Sequence, residues 1–312
     1  MSTVDFKGRR AIVTGGGRGL GRSYALELAR RGAAVVVSDR PGTAAEPSAA
    51  DAVVQEIVDA GGQAVASYGD LTTPEGGAEI VQAALDAFGG IDVVVNNAGF
   101  LRPGEFHDLS GDDFDAMLGV HLLGAVNVCR AAIVHMREQG YGRIVNTASN
   151  AGTFGMPAMA NYCAAKAGVL GLTRALSIEG EPFGIKANAI LPNASTTISQ
   201  GTPIPGDQAA QGGSRAYKEQ LADRFSPEMV TPLTLFLASE DCPVTGEFYS
   251  ALAGRFARVF IGVADGWGGE TEEAPSIEDV ADHFDAIRDL DGYVLPTSVV
   301  DEYRIVAEKL TA

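Results

Sequence analysis

The chain has 312 residues, 46 % of them hydrophobic, with 39 glycines and a formal net charge of −17. That length buries a full core as one large α/β domain or two small ones, and the acidity excludes a nucleic-acid or anionic-membrane surface, which would repel it. Three scattered cysteines without a Cys-x-x-Cys and four histidines without ligand spacing exclude a disulfide framework and give no metal site.

Short β-branched runs alternate with helical patterns along the chain. Strands are expected at Ala11–Thr14, Ala33–Ser38, Gln63–Tyr68, Ile91–Asn96, Arg143–Thr147, Lys186–Leu191 and Phe256–Val263. Helices are expected near Leu20–Arg31, Ser48–Ala60, Pro74–Phe88, Asp112–Arg137 and Ala158–Glu181. Strict alternation means parallel strands joined by right-handed crossovers. The expected fold class is α/β, a Rossmann-like doubly wound parallel sheet of about seven strands with helices on both faces. Two loops break the rhythm, Arg40–Pro47 after the second strand and Thr196–Gly213, whose Gly, Pro, Ser and Gln suit a lid.

The composition shifts after Gly266, where 47 residues carry twelve acidic side chains against three basic ones. Ser276-x-x-Asp279 marks a helix start, followed by Ile277, Val280, Ala281, Phe284 and Ile287 at helical spacing, and Val299, Tyr303, Val306 and Leu310 repeat the pattern. The expected division is a catalytic domain over 1–265 and an acidic helical extension over 266–312, docked on that domain or on a neighbouring subunit. Without an N-terminal apolar h-region or an apolar run near ~18 residues, the chain is expected to be cytoplasmic and to have no membrane contact.

The first strand runs into Thr14-Gly15-Gly16-Gly17-Arg18-Gly19-Leu20-Gly21 and then a helix, so the glycines allow close approach of a pyrophosphate to the helix N-terminus. Asp39 ends the second strand, where a carboxylate accepts from both ribose hydroxyls and repels a 2′-phosphate; this favours NAD over NADP. Arg18 and Arg40 pull the other way. A turn-capping role is the alternative for Asp39.

Tyr162 and Lys166 are four apart and share one helix face, which sets an ammonium beside a phenol and favours the phenolate. Ser149 stands ready to hold a substrate oxygen. These residues, with the Gly-rich loop, Asn96-Asn97-Ala98-Gly99 and the thirteen-residue step from Ser149 to Tyr162, resemble the short-chain dehydrogenase/reductase family over about residues 8–195. The resemblance implies that Tyr162 is the general acid/base, that Lys166 binds the nicotinamide ribose and lowers the Tyr162 pKa, and that Ser149 orients the reacting oxygen. It puts Gly15, Arg18, Gly19, Leu20, Gly21, Asp39, Asp70, Leu71, Asn97, Ala98, Gly99, Tyr162, Lys166, Pro192 and Ala194 around NAD, with no metal.

A narrower likeness is to the dehydrogenase units of the type 2 multifunctional enzymes, (3R)-hydroxyacyl-CoA dehydrogenases also described as 17β-hydroxysteroid dehydrogenases. It rests on the long loop after Asp39, Val120-His121-Leu122, Ala175–Gly180 and Leu191-Pro192-Asn193-Ala194. His121 stands where most of the family has an asparagine that supports a water-linked proton path. An imidazole in that path and a helix-interior histidine satisfied by backbone are both open.

The expected reaction is hydride transfer between a secondary alcohol and NAD, with (3R)-3-hydroxyacyl-CoA as leading substrate, its acyl group bulky or steroid-like. Arg102, Arg215, Lys218, Arg255 and Arg258 are candidate contacts for CoA phosphates. The alternatives are a CoA-free secondary alcohol or 17β-hydroxysteroid, and an NAD-binding sensor without turnover, against which the full Ser149, Tyr162 and Lys166 set argues. A homodimer or homotetramer is implied by the resemblance, and any hydration step is expected to need a separate hydratase.

Overall fold

The computed structural model describes residues 4–43, 47–195, 220–268 and 274–311. The expected lid, Thr196–Gly213, lies wholly outside them, as do Arg215 and Lys218. The chain divides into two compact units, Met1–Arg258 and Val259–Ala312.

In the first unit the β-branched runs form β1 (Arg10–Thr14), β2 (Ala34–Ser38), β3 (Gln63–Ser67), β4 (Val93–Asn96), β5 (Gly142–Thr147) and β6 (Ile185–Asn193). All six pair in parallel, β1 lying between β2 and β4. Successive side chains point to opposite faces, so Ala11, Val13, Val35, Val37, Val93 and Val95 enter one core layer and Ile12, Val36 and Val94 the other. Helices α1 (Gly19–Arg30) and α2 (Ala49–Asp59) close the first layer, α3 (Pro74–Phe88) the second. Burying each such valine or isoleucine contributes about 1.5–3 kcal/mol.

The end of the sheet departs from the expectation. The seventh strand is β7 (Phe248–Leu252), parallel to β6, and an eighth, β8 (Arg255–Val259), replaces the strand expected at Phe256–Val263. Ala253 and Gly254 both take positive φ, 53° and 79°, the geometry of a tight two-residue hairpin turn that sends β8 back along β7. Periodicity alone missed β7 because Phe248-Tyr-Ser-Ala-Leu252 is short and mixed.

The helix expected over Asp112–Arg137 is three segments: α4 (Gly111–Leu118), a π turn (Gly119–Leu123) and α5 (Gly124–Gln139). The N–H of Gly124 reaches back to the carbonyl of Gly119, an i→i+5 bond that inserts one residue and re-aims His121. The 29 residues Gly111–Gln139 are long and apolar enough to cross a membrane by length and composition alone, against the expectation that no run comes close. They pack instead on α3 and on the helix Ala160–Gly180, and line the sheet. The second long helix also divides, into α6 (Asn150–Phe154) and α7 (Ala160–Gly180), around Ala158 at φ 55°. Helix α8 (Thr231–Ala238) joins the α1 layer.

In the second unit Ser276 and Asp279 form the expected capping box, the Ser276 Oγ accepting from the Asp279 N–H at 3.1 Å and the carboxylate accepting from the Ser276 N–H at 2.9 Å. The helix it starts, α9 (Ile277–Asp282), breaks at His283 before α10 (Phe284–Ile287); α11 (Val299–Thr311) follows. Trp267 stacks on His283 at 4.2 Å between ring centroids and Phe260 on Tyr293 at 5.8 Å.

Candidate active site

The strand order β3-β2-β1-β4-β5-β6 reverses direction at β1, and the crevice beyond the carboxyl ends of β1 and β4 is where open α/β sheets bind ligands. Thr14 closes β1, and its Oγ1 accepts from the N–H groups of Asn97 and Ala98 at 3.0 and 3.2 Å. Asn97 Nδ2 donates to the carbonyls of Thr14 and Gly15 at 3.1 and 3.2 Å. This clamp ties the Gly-rich loop to the Asn97-Ala98-Gly99 turn.

A Cβ on Gly15 would lie 2.7 Å from the Ala98 Cα, so the loop and turn touch backbone to backbone. Helix α1 begins at Gly19 with Arg18 as its N-cap, no side chain capping it and no acidic residue in its first turn. Its uncapped N–H groups and positive dipole end fit a pyrophosphate. Asp39 receives the Gly17 N–H on Oδ2 at 2.9 Å and the Arg40 N–H on Oδ1 at 2.8 Å. It therefore caps the loop, and its remaining lone pairs stay available to ribose hydroxyls. The residues present thus fit a dinucleotide.

The other expected contacts are more dispersed. Asp70 is exposed and its Oδ1 accepts from the Thr72 N–H and Oγ1 at 3.0 and 2.7 Å. Leu71 is half-buried and lines a small cavity together with His121 and Lys166, and its carbonyl accepts from Asn127 at 3.0 Å. Pro192 lies in β6 opposite Ala251, with Ala194 just past the strand.

Ser149 lies two residues past β5 as the N-cap of α6, its Oγ accepting from the Ala151 N–H at 3.1 Å. Tyr162 and Lys166 lie in the first two turns of α7, with Lys166 Nζ 5.8 Å from the Tyr162 ring centroid. The His121 ring meets the Tyr162 ring edge-on at 5.2 Å. The structure thus brings Ser149, Tyr162, Lys166 and His121 to one place.

Their electrostatics differ from the expectation that Lys166 pulls the Tyr162 pKa down. Burial pushes the Tyr162 phenol above its ordinary value, and the Ser149 hydroxyl beside it only partly offsets this. Lys166 is buried too, which brings its own pKa down to about 7, and its Nζ donates to the Thr147 carbonyl. His121 is pushed down to about 3, mainly by burial and next by Lys166, while its contact with Phe100 opposes the shift. It is held neutral at working pH, with one ring nitrogen a donor and the other an acceptor.

A linkage consequence follows. Lys166 titrates near 10.5 when unfolded and near 7 when folded, so between those values the unfolded chain binds the extra proton. Stability of the cofactor-free protein is expected to rise with pH through that window, by up to about 1.4 kcal/mol per unit. Urea midpoints from pH 7 to 9.5 measure it. Lys166→Met should flatten the rise; an equal slope in that variant would refute the assignment.

Sequence reasoning gave no individual role to Asn96, Asn146, Thr147 or Phe100. Asn96 Nδ2 donates to Asn146 Oδ1 at 2.8 Å and Asn146 Nδ2 to Thr173 Oγ1 at 3.0 Å, a polar chain through the core. The available signal was a polar side chain closing each of two apolar buried strands, where it must find partners. Of the cations proposed for CoA, Arg102 faces Asp113 at 3.5 Å and lies over the Phe100 ring, and Arg258 faces Glu247 at 3.2 Å.

The family profile described as short chain dehydrogenase matches residues 9–202. A short-chain type dehydrogenase/reductase of Mycobacterium tuberculosis is 42 % identical over 288 residues, covering 91 % of this chain and 95 % of the relative. A hydroxyacyl-CoA dehydrogenase of the same organism is 37 % identical over 248 residues, 76 % of this chain and 75 % of the relative. The full-length peroxisomal multifunctional enzyme type 2 of Drosophila melanogaster superposes with a TM-score of 0.80 at 31 % identity, covering 99 % of this chain; the chain spans 50 % of that one.

Proposed function

The chain belongs to the short-chain dehydrogenase family, an oxidoreductase acting on CH–OH groups, and from that premise we propose that it oxidises (3R)-3-hydroxyacyl-CoA thioesters with NAD. The observation that carries the chemistry is the convergence of Ser149, Tyr162 and Lys166 at the carboxyl end of β5. The thioester reading is supported by the relationship to a hydroxyacyl-CoA dehydrogenase and by the likeness over nearly the whole chain to a type 2 multifunctional enzyme. NAD is favoured by the Asp39 carboxylate at the end of β2, which would repel a 2′-phosphate.

In this reading the Tyr162 oxygen takes the hydroxyl proton of the substrate, and the Ser149 hydroxyl supports the oxygen as it becomes a carbonyl. Lys166 holds the ribose and stabilises the phenolate. A bound nicotinamide supplies the hydride acceptor and a positive charge that favours the phenolate. The loop clamp of Thr14, Asn97 and Asp39 positions it.

We further place the protein in the cytoplasm, in keeping with three free cysteines, and as a homo-oligomer, in keeping with exposed Leu123, Val134 and Ile178 near and on the long helices. The second reading is a CoA-free secondary alcohol or 17β-hydroxysteroid. It is favoured by the pairing of Arg102 and Arg258 with carboxylates, which occupies two of the five candidate cations.

The test is NADH formation from (3R)- and (3S)-3-hydroxyacyl-CoA against matched free alcohols and 17β-hydroxysteroids, repeated with NADP. Turnover of the (3R) thioester at least about tenfold above the others, a difference of about 1.4 kcal/mol, is the expected result. Turnover confined to CoA-free alcohols would retain the proton chemistry and overturn the thioester.

A further inference from the structure

Tyr162 can exchange a proton only if its oxygen stands at a fixed place beside Ser149, yet the chain between the two is not a rigid link. Helix α6 ends at Phe154, Gly155 takes φ 78° and Ala158 φ 55°, and α7 then starts at Ala160 with Met159 as N-cap and no side chain capping it. A turn beyond the phenol, the Lys166 Nζ ties α7 to β5 through the Thr147 carbonyl. The first turn, which carries Tyr162, needs an anchor of its own.

Asn161, the residue before the phenol, is 0 % exposed and supplies it. Its Oδ1 accepts at 2.8 Å from the Tyr162 N–H, one of the groups that a helix start leaves without a partner. Its Nδ2 donates to the Arg102 carbonyl at 3.0 Å and to the Asp113 carbonyl at 3.4 Å. Turning the amide over would set its oxygen against two carbonyls, so the orientation is fixed by its partners. One side chain thereby joins the start of α7, the loop that continues from the Asn97-Ala98-Gly99 turn, and α4. The same loop grips α7 a second time, the Gly104 N–H donating to the Ala158 carbonyl at 2.9 Å. Outside the buried asparagine, the Arg102 and Asp113 side chains meet at 3.5 Å and brace the two segments that it holds.

We propose that Asn161 is a positioning residue for the proton transfer. It holds the first turn of α7 against the Arg102 loop and α4, and so fixes the Tyr162 oxygen relative to Ser149 and the reacting carbinol. An asparagine that served folding alone could meet these carbonyls from elsewhere; this one is bonded to the backbone of the reacting residue itself. The effect on rate rests on the dehydrogenase reading, whereas the placement of Tyr162 does not.

Asn161→Ala is expected to lower kcat on the preferred alcohol by about 100-fold per NAD-binding site, the cost of a misplacement near 1 Å, with NAD affinity within about threefold of wild type. Counting sites by NAD titration removes any unfolded fraction, so loss of a residue needed only for folding leaves this rate unchanged. Asn161→Asp keeps the shape and the acceptor for the Tyr162 N–H. Its carboxyl, buried against two carbonyls, takes up a proton and donates to one of them, so that kcat per site falls only about three- to tenfold.

A second readout needs no substrate. With the cofactor bound, the Tyr162 midpoint is followed by NMR on 13C-tyrosine-labelled protein, its signal assigned by its loss in Tyr162→Phe. The Ser149 hydroxyl holds that midpoint down, so a phenol moved away from Ser149 titrates higher in Asn161→Ala and, to a smaller extent, in Asn161→Asp. The other ionisable groups around the phenol are Lys166 and Cys163 on its own helix and His121 on the π turn, and Asn161 bonds to the side chain of none of them. A rate per site within threefold of wild type, or an unmoved Tyr162 midpoint, in Asn161→Ala would overturn the proposal. If that variant does not fold, Asn161→Asp decides, and a wild-type rate or a wild-type midpoint there overturns it. If the wild type turns over no alcohol, the dehydrogenase reading fails and the midpoint alone decides.

Discussion

Tyr162→Phe is expected to lower kcat on the preferred alcohol by about 10^3-fold, within the usual range for loss of a general acid or base, while NAD binding stays within about twofold of wild type. The substitution removes one oxygen and leaves the ring that packs edge-on against His121 and lies beside Lys166. Stability should change by less than about 1 kcal/mol, since the lost group is a single buried hydroxyl next to a serine that retains the Ala151 N–H. Initial rates of NADH formation, calorimetric titration with NAD and a urea melt give the three quantities. Residual turnover within tenfold of wild type would remove Tyr162 from the proton transfer. A rate lost together with NAD binding would mean that the variant had damaged the crevice and not the chemistry.

Gly21→Ala should have the largest effect outside the reacting group. A Cβ there would lie 2.0 Å from the Gly15 carbonyl oxygen and 2.6 Å from Asn97 Nδ2. Neither can yield cheaply, because one is backbone and the other is the side chain that clamps the loop to the Asn97 turn. Helix α1 would have to shift away from the loop, at a cost of about 3 kcal/mol in stability. Carried into the pyrophosphate seat, a distortion of that size weakens NAD by about 100-fold. The urea midpoint and the NAD titration test both halves. Affinity within threefold of wild type would mean that the loop and the α1 N-terminus do not hold the dinucleotide.

Much of the molecule could be read without coordinates because the relevant signals are local. Valine-rich runs such as Ala34–Ser38 and Val93–Asn96 specify buried parallel strands, the glycines between β1 and α1 mark a close backbone approach, and Tyr162 and Lys166 share a helix face by their spacing alone. The errors came where local signals compete. The apolar run from Gly111 to Gln139 looks like one helix, yet a single i→i+5 bond inside it turns His121. Phe248–Leu252 was passed over for the residues after it, because the turn that makes the hairpin uses an alanine at positive φ, which composition does not announce.

The sequence by itself determined the βα order, the family and the identities of Ser149, Tyr162, Lys166 and Asp39. Each of these depends on spacing along one element or one turn. Only the tertiary structure decided that burial pulls the Lys166 pKa down, that the Tyr162 phenol is pushed up instead of down, and that Asn96, His121 and Thr147 line one small cavity with the lysine. Protonation depends on what surrounds a group in three dimensions. These residues come from β4, the π turn, β5 and α7, which packing brings together around a space too dry to solvate a charge freely.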